Sequence, residues 1–255
     1  MTIIDEAPVL SAPANLRDLG GIAIEGGVLR HGMAIRTDDL APVTEGVADE
    51  PVADGLTVII DLRSNDEVAI TGRGPLGTRP VAYHHIALMA DVGASMPAVD
   101  REWRFTHEAM GESYVAMTET AAPALVTALN VIAYAPGATA FHCAAGRDRT
   151  GVLAAVLLLA LGASDDGIVA DYARTAPNMP GIMRRTRGVM GPLLARLGVD
   201  EEAMQRSLPD GPMDVSMRIM LGTLRDRQGD PLAPLRAAGL SDDTIARLRA
   251  KAIAA

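Results

Sequence analysis

Residues 138–162 combine three features that strongly restrict the possible fold: a strand-like segment, a polar loop and an apolar helix-like segment. Residues 138–142 follow the turn Pro136-Gly137 and have the length of a short strand. The stretch GVLAAVLLLALG at 151–162 is well below the ~20 residues needed to cross a bilayer. We therefore predict a strand, a tight loop and then a helix buried inside a globular protein.

Two more segments have the character of strands. LTVII at 56–60 is short and β-branched and follows Asp54-Gly55, as in a strand that is buried on both faces. Residues 81–88 form another extended candidate. Because segments with helical spacing separate these strands, the sequence predicts an α/β fold with a mainly parallel sheet flanked by helices. Ligands of such sheets bind beyond the carboxyl ends of the strands.

The rest of the chain has the pattern of helices. Residues 101–134 show helical spacing, with Pro123 interrupting or starting a helix, and helices are also predicted within 164–174, 179–198 and 241–252. No linker or repeat divides the sequence. We predict a single domain over residues 1–255, with a core of about 12–175 and a helical C-terminal extension of about 176–255.

The loop HCAAGRDRTG at 142–151 contains the only cysteine of the chain, Cys143. A cysteine, five residues and an arginine are what thiol-based hydrolysis of phosphomonoesters requires, provided that the loop ends at a helix N-terminus. The backbone N–H groups then surround a phosphate, and Gly146 allows the necessary curl. The same positive environment favours the thiolate. We predict a phosphate-binding loop made of Ala144, Ala145, Gly146, Arg147, Asp148, Arg149 and Thr150.

Three residues of this loop have predicted roles in catalysis. Cys143, as a solvent-accessible thiolate, is the expected nucleophile. Arg149 can present its planar fork to two phosphate oxygens, and Thr150 can donate a hydrogen bond to the sulfur. This chemistry needs no metal and no cofactor, and the histidines outside the loop lack a metal-ligand grouping.

Protonation of the leaving oxygen requires an acid, and two aspartates compete for this role. Asp148 lies inside the loop beside Arg149, whereas Asp91 lies in a Gly-containing loop after the strand candidate at 81–88. Asp148 is the preferred candidate, and the alternative stays open.

Several other polar residues are candidates for the site or its support. His142 is expected to orient the loop by hydrogen bonding. Arg17, Asp18, Arg36, Asp61 and Arg63 either contact substrate or form ion pairs that support the loop. Arg184, Arg185 and Arg187 either hold a second phosphate or form a solvated helix face. Candidates for an aromatic pocket wall are Tyr83, Tyr114, Trp103 and Phe105.

The loop sequence resembles the active-site loop of the cysteine-dependent protein tyrosine phosphatases, in the atypical bacterial branch whose loop usually reads HCxxGKDRTG. Other segments carry the same resemblance: NLRDLGG at 15–21, IRTDDL at 35–40, IIDLRSNDEV at 59–68 and DYART at 171–175. The resemblance covers most of the chain and is weakest after about residue 215.

The resemblance implies a phosphatase fold and hydrolysis of phosphotyrosine, with phosphoserine, phosphothreonine or phosphoinositides as further substrates of some members. It also implies an aspartate at position 148 that matters for catalysis, while the family's segment around Asp91 carries an aspartate as well. Arg147 replaces the usual lysine, which in the family is associated with acceptance of phosphoinositides. Arg147 keeps the charge but changes its reach and geometry.

Composition excludes several classes of partner and site. With 23 basic and 32 acidic residues, the net charge of −9 opposes general binding to nucleic acid or to an anionic membrane. A single cysteine permits no internal disulfide and suits a reducing compartment. The N-terminus lacks the basic start and apolar core of a Sec signal peptide. A cytoplasmic protein without a membrane span is expected, with leaderless secretion still open; the sequence does not indicate an oligomeric state.

Other functions remain as alternatives. The same chemistry would serve a phosphorylated small molecule, such as a nucleotide, a sugar or a biosynthetic intermediate, and the sequence does not decide between this substrate and a phosphoprotein. A phosphate-binding module without turnover would usually lack Cys143 or Arg149, and both are present. A rhodanese-like sulfur carrier does not fit the Arg-Thr-Gly ending of the loop.

Overall fold

The computed structural model describes residues 10–89, 106–196 and 211–253. Its main sheet has five strands: β1 Arg17–Asp18, β4 Ala34–Thr37, β5 Leu56–Asp61, β6 Ala82–His85 and β7 Ala138–His142. A separate hairpin consists of β2 Ala23–Ile24 and β3 Gly27–Val28.

The strand order of the sheet is β1-β4-β7-β5-β6. Strands β4, β7, β5 and β6 are parallel, and only β1 runs antiparallel to its neighbour. At the carboxyl edge His142 pairs in register with Thr37 on one side and with Asp61 on the other. This topology confirms the predicted α/β fold, and it brings the segments after Thr37 and Asp61 to the loop that follows β7.

The helices in the described ranges occur in this order along the chain: α1 Glu45–Ala53, α2 Asn65–Thr71, α3 His107–Thr120, α4 Ala122–Tyr134, α5 Asp148–Ala160, α6 Asp165–Ala173, α7 Met179–Arg196, α8 Asp214–Gln228, α9 Ala233–Ala237 and α10 Asp242–Ile253. Ser64, Thr106 and Ser164 accept hydrogen bonds as N-caps. Pro123 lies in the first turn of α4, as predicted. Short 3₁₀ turns cover Gly74–Thr78 and Ala176–Asn178.

The buried helix α5 lies at the centre of the core. Every residue from Arg149 to Ala160 is buried, which agrees with the uninterrupted apolar run. The C-terminal helices join the same hydrophobic cluster through residues such as Met217, Leu224 and Leu248. A Cβ on Gly111 of α3 would lie 2.5 Å from Ile219 Cγ2, so glycine permits the close approach of α3 and α8. The predicted helical extension is thus part of the core packing.

None of the helices in the described ranges is both long and apolar enough to cross a membrane by itself. Helices α3 and α4 together reach the required length and composition, but they are bent by 76° at their junction.

Candidate active site

The loop between β7 and α5 is folded tightly against the segment that follows β4. Gly146 has φ +65°, and a Cβ there would lie 2.4 Å from the Thr37 carbonyl oxygen. The Asp39 N–H donates to the Ala144 carbonyl at 3.0 Å. The N-cap residue of α5, Arg147, makes no side-chain hydrogen bond to the helix. The loop therefore ends at a helix N-terminus whose backbone N–H groups are not capped by the side chain of the N-cap residue. An anion site requires such a helix end.

Cys143 lies close enough to Arg149 for the two side chains to interact electrostatically. Burial alone would disfavour the charged guanidinium, but the hydrogen bonds that Arg149 donates to Glu67, together with the neighbouring Cys143, raise the pKa of Arg149 above its usual value. Cys143 itself is only 1% exposed. This corrects the expectation of a solvent-accessible thiol, because Cys143 belongs to the buried hydrophobic cluster of the core. Ala145 and Asp148 are the partly exposed members of the loop.

A residue without a predicted role, Glu67, holds Arg149. Its carboxylate accepts hydrogen bonds from both terminal nitrogens of Arg149, at 2.5 and 2.8 Å, and the Glu67 side chain is fully buried. Glu67 lies in the first turn of α2, where it forms a capping box with Ser64. Because Glu67 takes the end of the guanidinium, the edge that carries Nε remains available for two oxygens of an anion.

Thr150 differs from its predicted geometry. Its hydroxyl is buried and has no hydrogen-bond partner within the described ranges, so the expected bond to the Cys143 sulfur is not formed. The hydroxyl lies in the first turn of α5, where it has an unused donor.

Arg17 and Arg36 are buried, and their contacts lie next to the loop. Arg36 donates to the Gly146 carbonyl at 2.9 Å and to Asp171 at 2.6 Å, and Arg17 donates to the other oxygen of Asp171 at 2.8 Å. Asn15 joins them, since its amide donates to the Gly146 carbonyl at 3.1 Å. Of the two possibilities for the two arginines, these contacts favour support of the loop. Asp18 is separate, with its carboxylate on the N–H groups of residues 20 and 32.

A second buried network lies on the other side of the loop. Arg63 donates to Asp61 at 2.6 Å and to Asp39 at 2.9 Å. His142 lies 3.9 Å from a carboxylate oxygen of each aspartate, and its Nδ1 donates to the Cys143 carbonyl at 3.3 Å. Arg63, Asp61 and His142 therefore pack behind the loop, and His142 contacts it as predicted.

The side chain of Arg147 is directed into the protein interior. The residue is 5% exposed; its Nη2 lies 3.2 Å from the Met110 sulfur, and its Nε donates to the Tyr172 hydroxyl at 3.3 Å. Its side chain is therefore occupied by contacts in the interior, and only its backbone can contribute to the predicted phosphate-binding loop. The next residue, Asp148, accepts a hydrogen bond from the Tyr114 hydroxyl.

The remaining candidates are divided between the interior, the surface and the part of the chain outside the described ranges. Arg185 is buried and donates to Asp38 and to backbone carbonyls, so it neither binds a second phosphate nor belongs to a solvated face. Arg184 and Arg187 are exposed. Tyr83 is half-buried and Tyr114 is buried, so Tyr114 is not part of an open pocket wall. Three candidates lie outside the described residues: Asp91, Trp103 and Phe105.

Comparison with known proteins identifies the family. The model of the tyrosine phosphatase family matches residues 8–254. The chain belongs to the tyrosine phosphatase family. A tyrosine-protein phosphatase of Nostoc commune is 32% identical over 148 residues, which are 58% of this chain and 49% of that protein. The triple specificity protein phosphatase PtpB of Mycobacterium tuberculosis is 32% identical over 113 residues, 42% of this chain and 41% of PtpB.

The chain spans about half the length of the curated relatives that it matches. Family membership confirms the resemblance that the loop and the other family-like segments carry. Within the described ranges, no group of three or more His, Cys, Asp or Glu side chains has the arrangement of a metal site. Independence of a metal stays a prediction.

The supporting residues of this tyrosine phosphatase family member were only partly visible in the sequence. Glu67, Asn15 and Asp171 each lie in a segment that resembles the family, yet none had a predicted role. For Glu67 a local signal existed, because Ser64 and an acidic residue three positions later form a capping-box pattern before an apolar residue. The other two have no comparable local signal.

We expect the free energy of unfolding to fall in acid. Burial would raise the pKa of Glu67, Asp61 and Asp171, but the arginines bound to them, together with His142 for Asp61, lower it below the ordinary values of 4.5 and 3.8. A carboxylate with a lowered pKa stabilises the fold above its ordinary pKa, and this contribution is lost as the pH falls through the lowered value. Burial raises the pKa of Asp39, so its contribution to the free energy of unfolding changes with pH in the opposite direction.

Urea unfolding at a series of pH values tests this expectation. The unfolding free energy should decline once the pH falls below about 4.5, the ordinary pKa of Glu67. The variant Glu45→Gln removes an exposed carboxylate in α1 and serves as the control, since it should leave the acid slope unchanged. A stability that is constant between pH 5 and pH 3 would contradict the role given to the three buried carboxylates.

Proposed function

We propose that this protein is a cysteine-dependent phosphatase that hydrolyses phosphomonoesters, with phosphotyrosine in proteins as its main substrate. The observation that carries this proposal is the loop between β7 and α5, in which Cys143 lies within electrostatic reach of Arg149 and Glu67 fixes the guanidinium by two hydrogen bonds. Membership of the tyrosine phosphatase family supports the choice of substrate. The name of the Mycobacterium tuberculosis relative supports a broader, dual or triple specificity.

In the first step the Cys143 thiolate attacks phosphorus. The S–P bond forms while the bond from phosphorus to the ester oxygen breaks, and the leaving oxygen takes a proton from an acid. The N–H groups of the loop and the Nε edge of Arg149 bind the three remaining phosphoryl oxygens. Because these donors are fixed before the reaction, they stabilise the charge that develops in the transition state.

In the second step water attacks the phosphocysteine. The O–P bond forms, the S–P bond breaks and the thiolate leaves, while the carboxylate that donated its proton in the first step accepts one from the water. Inorganic phosphate and the original thiolate result. This cycle uses the chain's own residues at every step.

Asp148 is our candidate for the acid. It is the first residue of α5, its side chain is 37% exposed, and it adjoins Arg149. Asp91 remains the alternative. Because Tyr114 contacts Asp148, the effect of a Tyr114 substitution on protonation of the leaving group distinguishes Asp148 from Asp91.

The organisation of the chain supports a single functional unit. The family match extends over residues 8–254, and the C-terminal helices pack into the core that also contains α5. We propose one phosphatase domain on this basis. A cytoplasmic location is part of the same proposal, since a reducing compartment suits a lone cysteine.

A rapid-quench experiment tests the mechanism. Mixing the protein with p-nitrophenyl phosphate in EDTA should release a burst of nitrophenol that is stoichiometric with enzyme, followed by slower turnover. Mass spectrometry of the acid-quenched protein should find one phosphoryl group. Because Cys143 is the only cysteine, a thiol-bound phosphoryl group is assigned without further mapping.

The control is the same reaction with Thr139→Ser, which removes one methyl group from a buried residue of β7 and keeps its hydroxyl, a group without a hydrogen-bond partner within the described ranges. The burst amplitude should be retained in this variant. The proposal fails if hydrolysis stops in EDTA and returns with a divalent cation. It also fails if the phosphoryl group is found on a residue other than Cys143.

A further inference from the structure

A chain of buried hydrogen bonds connects Arg147 to Asp148 through two tyrosines. We propose that Tyr114 is a positioning residue for Asp148, and that Arg147, acting through Tyr172, determines the direction in which the hydrogen bonds of this chain point. This inference rests on the proposed phosphatase reaction and names a residue that determines how Asp148 presents its proton.

The chain joins four parts of the fold. The Arg147 Nε lies 3.3 Å from the Tyr172 hydroxyl of α6, and that hydroxyl lies 2.8 Å from the Tyr114 hydroxyl of α3. The Tyr114 hydroxyl in turn contacts Oδ1 of Asp148 at the start of α5. The two rings pack edge to face, with centroids 6.1 Å apart. Tyr114 and Tyr172 are 2% and 1% exposed, so little water can compete for their hydroxyl groups.

Elementary chemistry gives this chain a direction. A guanidinium only donates, so the Tyr172 oxygen accepts from Arg147. Tyr172 then directs its own hydrogen to the Tyr114 oxygen, and Tyr114 directs its hydrogen to Asp148 Oδ1. Burial raises the pKa of both tyrosines, so both hydroxyl groups keep their protons and remain donors. Each group therefore has one defined role.

The consequence for Asp148 concerns its two oxygens. Oδ1 is occupied as an acceptor, so the exchangeable proton of Asp148 belongs on Oδ2. Asp148 keeps a side-chain exposure of 37%. The Arg147 Nε lies 3.7 Å from Oδ1, and the hydrogen bond that orients the carboxyl group comes from the Tyr114 hydroxyl. A fixed orientation directs the Oδ2 proton along one line, and general acid catalysis depends on such alignment.

The test exploits the dependence on the leaving group. Phenyl phosphate needs a proton donor much more than p-nitrophenyl phosphate does, because phenolate is the poorer leaving group. Tyr114→Phe should lower kcat for phenyl phosphate by about tenfold and change kcat for p-nitrophenyl phosphate by less than about twofold. Tyr172→Phe should act in the same direction with a smaller effect. The double variant should match Tyr114→Phe alone, since the two hydroxyls act in series.

Two further variants make the test specific. Tyr83→Phe removes another hydroxyl that donates to a buried aspartate, Asp61, and it should leave the ratio of the two kcat values unchanged. In an Asp148→Asn background, Tyr114→Phe should no longer change the ratio. The positioning role is overturned if Tyr114→Phe lowers both kcat values equally, or if it still changes the ratio without Asp148.

Failure of this inference is distinguishable from failure of the proposed function. If the wild-type protein forms phosphocysteine but Tyr114→Phe leaves the ratio unchanged, only the role of Tyr114 is wrong. If no phosphocysteine forms, the phosphatase mechanism itself is wrong. Thermal unfolding of each variant identifies loss of the fold, and Tyr172→Phe provides a second test should Tyr114→Phe fail to fold.

Discussion

Cys143→Ser is expected to lower kcat for p-nitrophenyl phosphate on the order of 10⁵-fold, as loss of a nucleophile does in other covalent mechanisms. A thiol is in general a much stronger acid and a better nucleophile than a serine hydroxyl, which is far too weak an acid to ionise at neutral pH. Serine differs from cysteine by one atom, so the curl of the loop at Gly146 and the pair of Arg149 with Glu67 should persist.

Phosphate binding provides the control for this substitution. Isothermal titration with inorganic phosphate should give Cys143→Ser a Kd within a few-fold of the wild-type value, because the donors of the loop are retained. Steady-state kinetics in EDTA then measures the loss of turnover separately from the loss of binding. Wild-type turnover by the serine variant would show that the sulfur is not the nucleophile.

The central strands were predictable because their signals are local. β7 covers the predicted residues 138–142, between the turn Pro136-Gly137 and the loop. β5 extends one residue beyond the predicted 56–60. β4 was missed. Its four residues include a buried arginine, Arg36, which forms an ion pair with Asp171 in α6. A strand of this kind is stabilised by tertiary contacts that no short window of sequence contains.

Local sequence patterns also did not predict the two-residue strands or the exact ends of the longer strands. β1, β2 and β3 contain two residues each, too few for an alternating pattern. The strand predicted over 81–88 is limited to Ala82–His85, because β5 ends at Asp61, the partner of His85. The Ile86 N–H still donates to the Asp61 carbonyl at 2.8 Å, and the hydrophobic residues after His85 pack against the core.

The loop itself was predictable because its residues are consecutive. Its supports were not, since Glu67 lies 82 positions from Arg149 and Asn15 lies 131 positions from Gly146. The direction of the Arg147 side chain was equally hidden. The charge of Arg147 follows from the sequence. Whether its side chain turns towards a substrate or into the interior depends on Tyr172 and Met110, which lie in other helices.

Arg149→Lys is expected to lower kcat/KM for p-nitrophenyl phosphate by about 10³-fold, with most of the loss in kcat. A lysine keeps one positive charge but offers a single point of contact, whereas the Nε edge of Arg149 can bind two phosphoryl oxygens at once. The lysine also leaves Glu67, which is fully buried, without one of the two hydrogen bonds that it accepts from residue 149. Steady-state kinetics measures both parameters.

Glu67→Gln is the matched variant for this prediction. The amide can still accept from Arg149 through one oxygen but loses the second charged contact, so the guanidinium is held less firmly and kcat should fall by about 10- to 100-fold. The kcat of Glu67→Gln should therefore lie between those of the wild-type protein and Arg149→Lys.

Two outcomes would contradict this account. If Arg149→Lys retains near wild-type kcat while KM rises, the guanidinium binds the substrate and the transition state equally. Stabilisation of the transition state by the planar guanidinium is then refuted. If Glu67→Gln is more damaging than Arg149→Lys, the carboxylate takes part in the chemistry directly and does not act through Arg149.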